Sequence, residues 1–268
     1  MAESGASASV VEVRGVAKTH PNGTHALAPV DFDVRRGEFV TLLGPSGCGK
    51  TTLLNLIAGL ISPSVGTLRW WNGDFAATGV PGKRFAFVFQ SPTLMPWARV
   101  RGNVRLPLDL AHTDRSDAER AVDDVLSRVG LRDFDRHLPR ELSGGMQMRV
   151  SIARALVNQP DLLLMDEPFA ALDEFTRQKL DTDLLELWRA RALTVVFVTH
   201  SIHEAVFLST RVAVMAARPG RILGKIAIDV PYPRPDDFRT STVFASYAQH
   251  LSRLVAEAGA GAAPATTG

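Results

Sequence analysis

The chain has 268 residues, 46% of them hydrophobic, enough to bury a substantial core in one large domain or two small ones. A formal net charge of +2 argues against a general nucleic-acid binder, and the single cysteine, Cys48, excludes an intrachain disulfide. No apolar run reaches the roughly 18–20 residues of a spanning helix, and Met1–Ser9 lacks the basic and apolar stretches of a signal peptide.

Residues 1–9 are small and polar and are expected to be disordered. Phe39–Leu43 reads as a buried strand running into a glycine-rich loop, and Thr51–Leu60 as the helix that follows. Phe85–Phe89 reads as another strand. From Ser91 to Pro160 the sequence offers no convincing strand. There Ala118, Ala121, Val122, Val125, Leu126 and Val129 form a helical stripe over Ser116–Val129, which predicts an inserted helical subdomain over about 91–160. Leu162–Met165, Val195–Thr199 and Arg211–Met215 read as further strands, 243–257 as a C-terminal helix, and 258–268 as a disordered tail of Ala, Gly, Pro and Thr. Strands alternating with helices over 10–242 predict an α/β fold with a mainly parallel sheet covered on both faces.

Three segments carry chemistry. Gly44-Pro45-Ser46-Gly47-Cys48-Gly49-Lys50-Thr51, followed by Thr52, fits the phosphate-cradling pattern in its required place between strand and helix. Its glycines let backbone amides turn inward, Lys50 would reach the β- and γ-phosphates, and the Thr51 hydroxyl would meet Mg²⁺. Asp166-Glu167 ends an apolar strand: Asp166 would hold the metal and Glu167 would orient or deprotonate the attacking water. Gln90 and His200 end two more strands, Gln90 to sense metal and γ-phosphate, His200 to bond the γ-phosphate or the water. The third segment, Leu142-Ser143-Gly144-Gly145-Met146-Gln147, places a favoured N-cap serine before a helical pattern and makes an amide-rich terminus.

In this order, with Leu164–Pro168 and Ala171-Leu172-Asp173, these segments resemble the ATP-binding subunits of ABC transporters from about Val11 to Ile228. The resemblance implies a P-loop NTPase-type core with an N-terminal antiparallel β region. It also implies a head-to-tail homodimer holding two Mg-ATP, each bound by Gly44–Thr51 of one copy and Ser143, Gly144 and Gly145 of the other. Asp173 would link the two sites, and His20 stands where the family usually stacks an aromatic residue on adenine. Membrane permease subunits would be direct partners and an external solute-binding protein an indirect one, with the chain peripheral on the cytoplasmic face. Gln90–Trp97, with its Leu94, Pro96 and Trp97, resembles the nitrate, sulfonate and taurine importer group, as do Asp166–Glu174 and Ala217–Arg221. Pyrimidine importers that supply thiamine precursors share similar segments. Ser91–Arg105 is the expected permease surface, helped by Arg99, Arg101 and Arg105, while Trp97 reads equally as core. Two rival readings are a soluble ABC ATPase and a non-catalytic nucleotide sensor; the short interval from Lys50 to Ser143 opposes the first, and Glu167 with His200 the second.

Overall fold

A computed structural model of the chain describes residues 9–71 and 83–260. In chain order it contains β1 (Ser9–Thr19), β2 (His25–Arg35), β3 (Phe39–Leu43), α1 (Lys50–Ile57) and β4 (Val65–Trp70). Next come β5 (Phe85–Val88), α2 (Val100–Leu110), α3 (Arg115–Arg128), α4 (Gly144–Leu156), β6 (Leu162–Asp166) and α5 (Glu174–Arg191). The chain closes with β7 (Thr194–Thr199), α6 (Ile202–Leu208), β8 (Arg211–Ala216), β9 (Arg221–Ala227) and α7 (Thr242–Ala260). It divides into two compact units, one of Met1–Pro81 with Thr194–Gly268 and one of Gly82–Leu193.

In the first unit, β3 lies between β7 and β8 and is parallel to both, and β9 adds antiparallel to β8. β3, β7 and nearly all of β8 are buried runs of Val, Leu, Phe, Thr and Met, as expected for strands covered on both faces. A separate antiparallel sheet, ordered β2-β1-β4, shows the other pattern. Val30, Phe32 and Val34 of β2 are buried while Asp31 and Arg35 are exposed, the alternation of a half-covered strand.

In the second unit, β5 and β6 pair in parallel. Between them run α2, α3 and α4, with 3₁₀ turns at Arg132–Phe134 and Pro139–Glu141. α3 is capped by Asp114, whose side chain accepts from Ser116 N, and buries Ala118, Val122, Val125 and Leu126.

α1 stops at Ile57, short of the expected Leu60, β5 stops at Val88, and both chain ends differ from expectation. Ser9 opens β1 and pairs with Arg35; residues 1–8 lie outside the described residues. α7 continues through Ala258, 1% exposed, to Ala260, because alanine is the strongest helix former and fits where larger side chains would not. The remaining tail, 261–268, lies outside the described residues.

Candidate functional site

Each unit ends two parallel strands at a common edge, and each edge carries half of the expected chemistry. In the first unit Leu43 of β3 stands opposite Thr199 of β7, so Gly44 and His200 leave side by side. Ligands gather at this carboxyl edge of parallel strands. Gly44 admits no side chain: a Cβ there would lie 2.4 Å from the Met215 carbonyl oxygen and 2.8 Å from Cys48 Sγ. Gly49, at φ 91°, caps α1 and leaves a would-be Cβ only 3.0 Å from the Ala26 carbonyl.

Cys48 is fully buried beneath the loop, whereas Ser46, Gly47 and Thr51 are exposed and Thr52 is half-buried. Lys50 is 4% exposed and curls back over the loop, donating to the Gly44 carbonyl at 2.8 Å and the Pro45 carbonyl at 3.1 Å. α1 has no side-chain cap and no acidic residue in its first turn. Its first amides and the positive end of its dipole converge with the Lys50 ammonium. A polyphosphate fits this chemistry.

One wall of the loop was not singled out from sequence. A Cβ on Gly220, between β8 and β9, would stand 2.5 Å from the Cys48 carbonyl and 2.7 Å from that of Ala26. His20 is half-buried in the turn joining β1 to β2, where His20 N donates to the Thr24 carbonyl at 2.9 Å. That hairpin leads directly into Ala26, the residue packed on Gly49 and Gly220.

In the second unit Val88 of β5 stands opposite Met165 of β6, so Gln90 and the Asp166-Glu167 pair leave at the same edge. Gln90 is exposed, and both acids are half-buried. Glu167 has φ 43°, a left-handed conformation uncommon outside glycine. Such conformations store about 1–3 kcal/mol and cluster where a side chain must be aimed. No periodicity or motif spacing announces this.

The loop after Gln90 is anchored by two residues that sequence reasoning missed. Arg154 of α4 donates to the Pro92 carbonyl at 3.0 Å, the Thr93 carbonyl at 2.9 Å and Thr93 Oγ1 at 2.9 Å. Asn103, fully buried, accepts from Met95 N at 2.7 Å and donates to the Ala98 carbonyl at 2.9 Å. Trp97 is 78% exposed, which removes the core reading. The three arginines expected to face a permease also make contacts within the chain. Arg101 pairs with Glu119, Asp123 and Asp135, Arg105 with Asp109 and Glu119, and Arg99 donates to the Arg136 carbonyl. The acids of α3 lie within reach of α2, a pairing that chain order alone does not reveal.

The Leu142–Gln147 segment divides by task. Ser143 caps α4, its Oγ accepting from Met146 N at 3.3 Å, and Ser143 and Gly144 are exposed. Leu142 is buried, Met146 is half-buried, and Gln147 Nε2 donates to the Pro139 carbonyl at 3.0 Å and the Leu142 carbonyl at 3.3 Å, tying the turn to its own helix. Gly145 is buried, with a would-be Cβ 2.7 Å from Thr176 Cγ2. Asp173 caps α5, accepting from Thr176 N at 3.0 Å and Thr176 Oγ1 at 2.7 Å. These bonds, the backbone one first, hold its carboxyl below the usual carboxylate range.

Among the described residues no group of three or more His, Cys, Asp or Glu could hold a metal ion. Taken singly, Thr51 in the first unit and Gln90 and Asp166 in the second carry hard oxygen donors. Oxygen donors of this kind are the type that Mg²⁺ takes.

A glycine-walled loop with a buried lysine, feeding an uncapped helix from a parallel strand, defines a P-loop nucleotide hydrolase. The family model described as ABC transporter matches residues 27–170. Among curated relatives, an aliphatic sulfonates import ATP-binding protein of Bacillus licheniformis is 42% identical over 85% of this chain and 86% of its own. A taurine import ATP-binding protein of Roseobacter denitrificans is 48% identical over 75% of each. Among solved structures, a component of an ABC transporter complex from Clostridium perfringens superimposes with TM-score 0.76 at 26% identity, covering 93% of this chain and 98% of that one. A dimeric bacterial ABC transporter cassette gives TM-score 0.73 at 32% identity, covering 82% of this chain and all of the other. The chain belongs to the ATP-binding subunits of ABC transporters, close to those of the nitrate, sulfonate and taurine importers, and is an ATP-hydrolysing cassette.

Proposed function

We propose that this ATPase drives uptake of a small anionic or zwitterionic solute, a sulfonate, taurine or nitrate, through permease subunits fed by a solute-binding protein. The similarity to the sulfonate and taurine import proteins supports the solute class. In this reading two copies associate head to tail. Gly44–Thr52 of one copy grip the triphosphate, His20 packs on the base, and Ser143, Gly144 and Gly145 of the other copy complete the γ-phosphate pocket. Met146 and the ends of the turn, Leu142 and Gln147, keep that surface in shape, and Asp173 joins the two sites. When bound, Mg²⁺ would be held by Thr51, Gln90 and Asp166 and would neutralise developing phosphate charge. Lys50 supplies positive charge at the phosphates, Glu167 takes the proton of the attacking water, and His200 holds the γ-phosphate or that water.

The observation that carries this reading is the exposed Ser143-Gly144 turn, an amide-bearing helix start with no acidic residue in its first turn. Moving a dimer from 1:99 open to 99:1 closed takes about 5.5 kcal/mol of differential binding. Two shared γ-phosphates can supply it, since a hydrogen bond to a charged group contributes roughly 1.5–3 kcal/mol. Trp97 and the anchored loop around it offer the permease an exposed contact, which would sit on the cytoplasmic face; among the described residues no helix is long and apolar enough to cross a membrane.

Glu167→Gln tests the mechanism. ATP should still bind, phosphate release should fall by about 10²–10⁴-fold, and light scattering should report a trapped dimer. A variant that remains monomeric with saturating Mg-ATP would overturn the shared pocket. Growth on taurine or an alkanesulfonate as sole sulfur source, and on nitrate as sole nitrogen source, after gene deletion tests the solute.

A further inference from the structure

α6 starts directly after Ser201, and Ser201 follows His200, so this helix is the mount of the residue assigned above to the γ-phosphate. On the strand side the mount is fixed. Thr199 Oγ1 accepts from Ser201 N at 2.9 Å and donates to the carboxylate of buried Glu204, while Ser201 Oγ accepts from Glu204 N at 3.3 Å. A helix of only seven residues does not hold itself in water. Its other end needs support from elsewhere in the fold.

That support comes from the segment after β9, beyond the 27–170 stretch that the family model matches. Arg234 is 7% exposed; its Nη1 donates to the Val206 carbonyl at 2.6 Å and to that of Phe207, and its Nη2 to the Ser209 carbonyl at 2.7 Å. Tyr232 Oη donates to the Leu208 carbonyl at 2.9 Å. The last carbonyls of a helix have no intrahelical partner, and here four successive ones, Val206 to Ser209, are each met by Tyr232 or Arg234. A cation at this end also complements the helix dipole. Burial pulls the Arg234 pKa down to about 10, which leaves it charged at neutral pH. Its guanidinium lies 4.2 Å from the Tyr232 ring centroid and 5.1 Å from that of Phe238.

The same segment grips the side of the helix. Arg239 lies 3.5 Å over the Phe207 ring, and Phe244 of α7 stacks on His203 at 5.6 Å. Several backbone acceptors spread over one helix end suit a planar guanidinium fork, and a lysine cannot reproduce that geometry.

We propose that Arg234, assisted by Tyr232, is a positioning residue for His200: by clamping the C-terminal end of α6 it sets where the N-terminal end presents the imidazole. This rests on the reading of His200 given under Proposed function. It makes the C-terminal segment part of the ATPase machinery and not a mere extension of the core.

The test is a double-mutant cycle on the full chain, measuring phosphate release for the parent, R234K, H200A and the double variant, well below each unfolding transition. R234K should lower kcat by about tenfold, within the hundredfold that a misplacement of 1 Å can cause, and move KM for ATP by less than about twofold. In the H200A background R234K should change kcat by less than about twofold, since the group it positions is gone. Equal losses with and without His200 would reject the clamp and leave the reading of His200 intact. An H200A variant as active as the parent would remove that reading and this one with it. Should R234K fail to fold, Y232F, which deletes the bond to the Leu208 carbonyl, carries the same cycle with a smaller expected loss.

Discussion

Two helices, α1 and α4, begin in glycine-rich turns that look alike in sequence, and they are built for different tasks. α1 starts without a side-chain cap, beside a buried Lys50, in a loop so crowded that a Cβ on Gly44 would strike the Met215 carbonyl at 2.4 Å. α4 starts with its own cap, Ser143, and a Cβ on Gly144 would meet nothing closer than Leu172 Cδ2 at 3.9 Å. The chain itself therefore requires glycine at the first position and not at the second. In the proposed dimer the space over Gly144 is where the partner's nucleotide approaches. One helix start is a crowded glycine loop around a buried lysine; the other is an exposed, self-capped turn.

The largest expected effect separates these directly. Gly44→Ala forces the Met215 backbone or the Cys48 side chain to move, and overpacking of this kind destabilises by about 1–3 kcal/mol. Nucleotide binding should fall with it. Gly144→Ala makes only ordinary contact and should change stability by less than about 0.5 kcal/mol, while still impairing ATP-dependent dimerisation. Urea unfolding with and without nucleotide checks both. Equal destabilisation by the two variants would erase the distinction.

Ser143→Ala sharpens the α4 side. Removing the bond to Met146 N should cost about 1 kcal/mol, the usual value of an N-cap. Urea unfolding without nucleotide measures that local loss. If Ser143 also meets the partner's phosphate, ATP-induced dimerisation should weaken by more than the cap alone explains. A variant that unfolds earlier but dimerises like the parent would confine Ser143 to the helix start.

Much of this was legible because each motif sits where a strand ends. Leu162–Met165 is a continuous apolar run and Phe39–Leu43 one interrupted only by Thr41, so their ends could be read, and Gly44 and Asp166 fall at those ends. What stayed hidden depends on distance along the chain. Gly220 walls a loop some 170 residues earlier. Arg101 and Arg105 read as exposed cations until the acids of α3 met them. The left-handed backbone of Glu167 leaves no trace in composition or periodicity. Arg234 lies in a proline-rich stretch with no local sign of its role, because the helix end that it satisfies is formed by residues 206–209.

The smallest effect concerns a third kind of helix start. α3 and α5 are capped by carboxylates, Asp114 and Asp173, so these two starts carry a negative charge of their own, whereas α1 has no side-chain cap. The Asp173 carboxyl is held below its usual range by its bonds to Thr176. A depressed folded-state pKa adds stability that is fully present above the unfolded value, about 3.9, and is lost as pH falls through the folded value. Asp173→Asn keeps an acceptor for Thr176 N but does not titrate. The parent's advantage over this variant should therefore be constant from pH 7 to about 5 and shrink steadily below about 4. Thermal unfolding across that range measures it. A gap that stays level down to pH 3 would show that the charge contributes nothing to the cap, leaving α5 with a neutral type of cap like that of α4, and removing the electrostatic contrast that sets α1 apart.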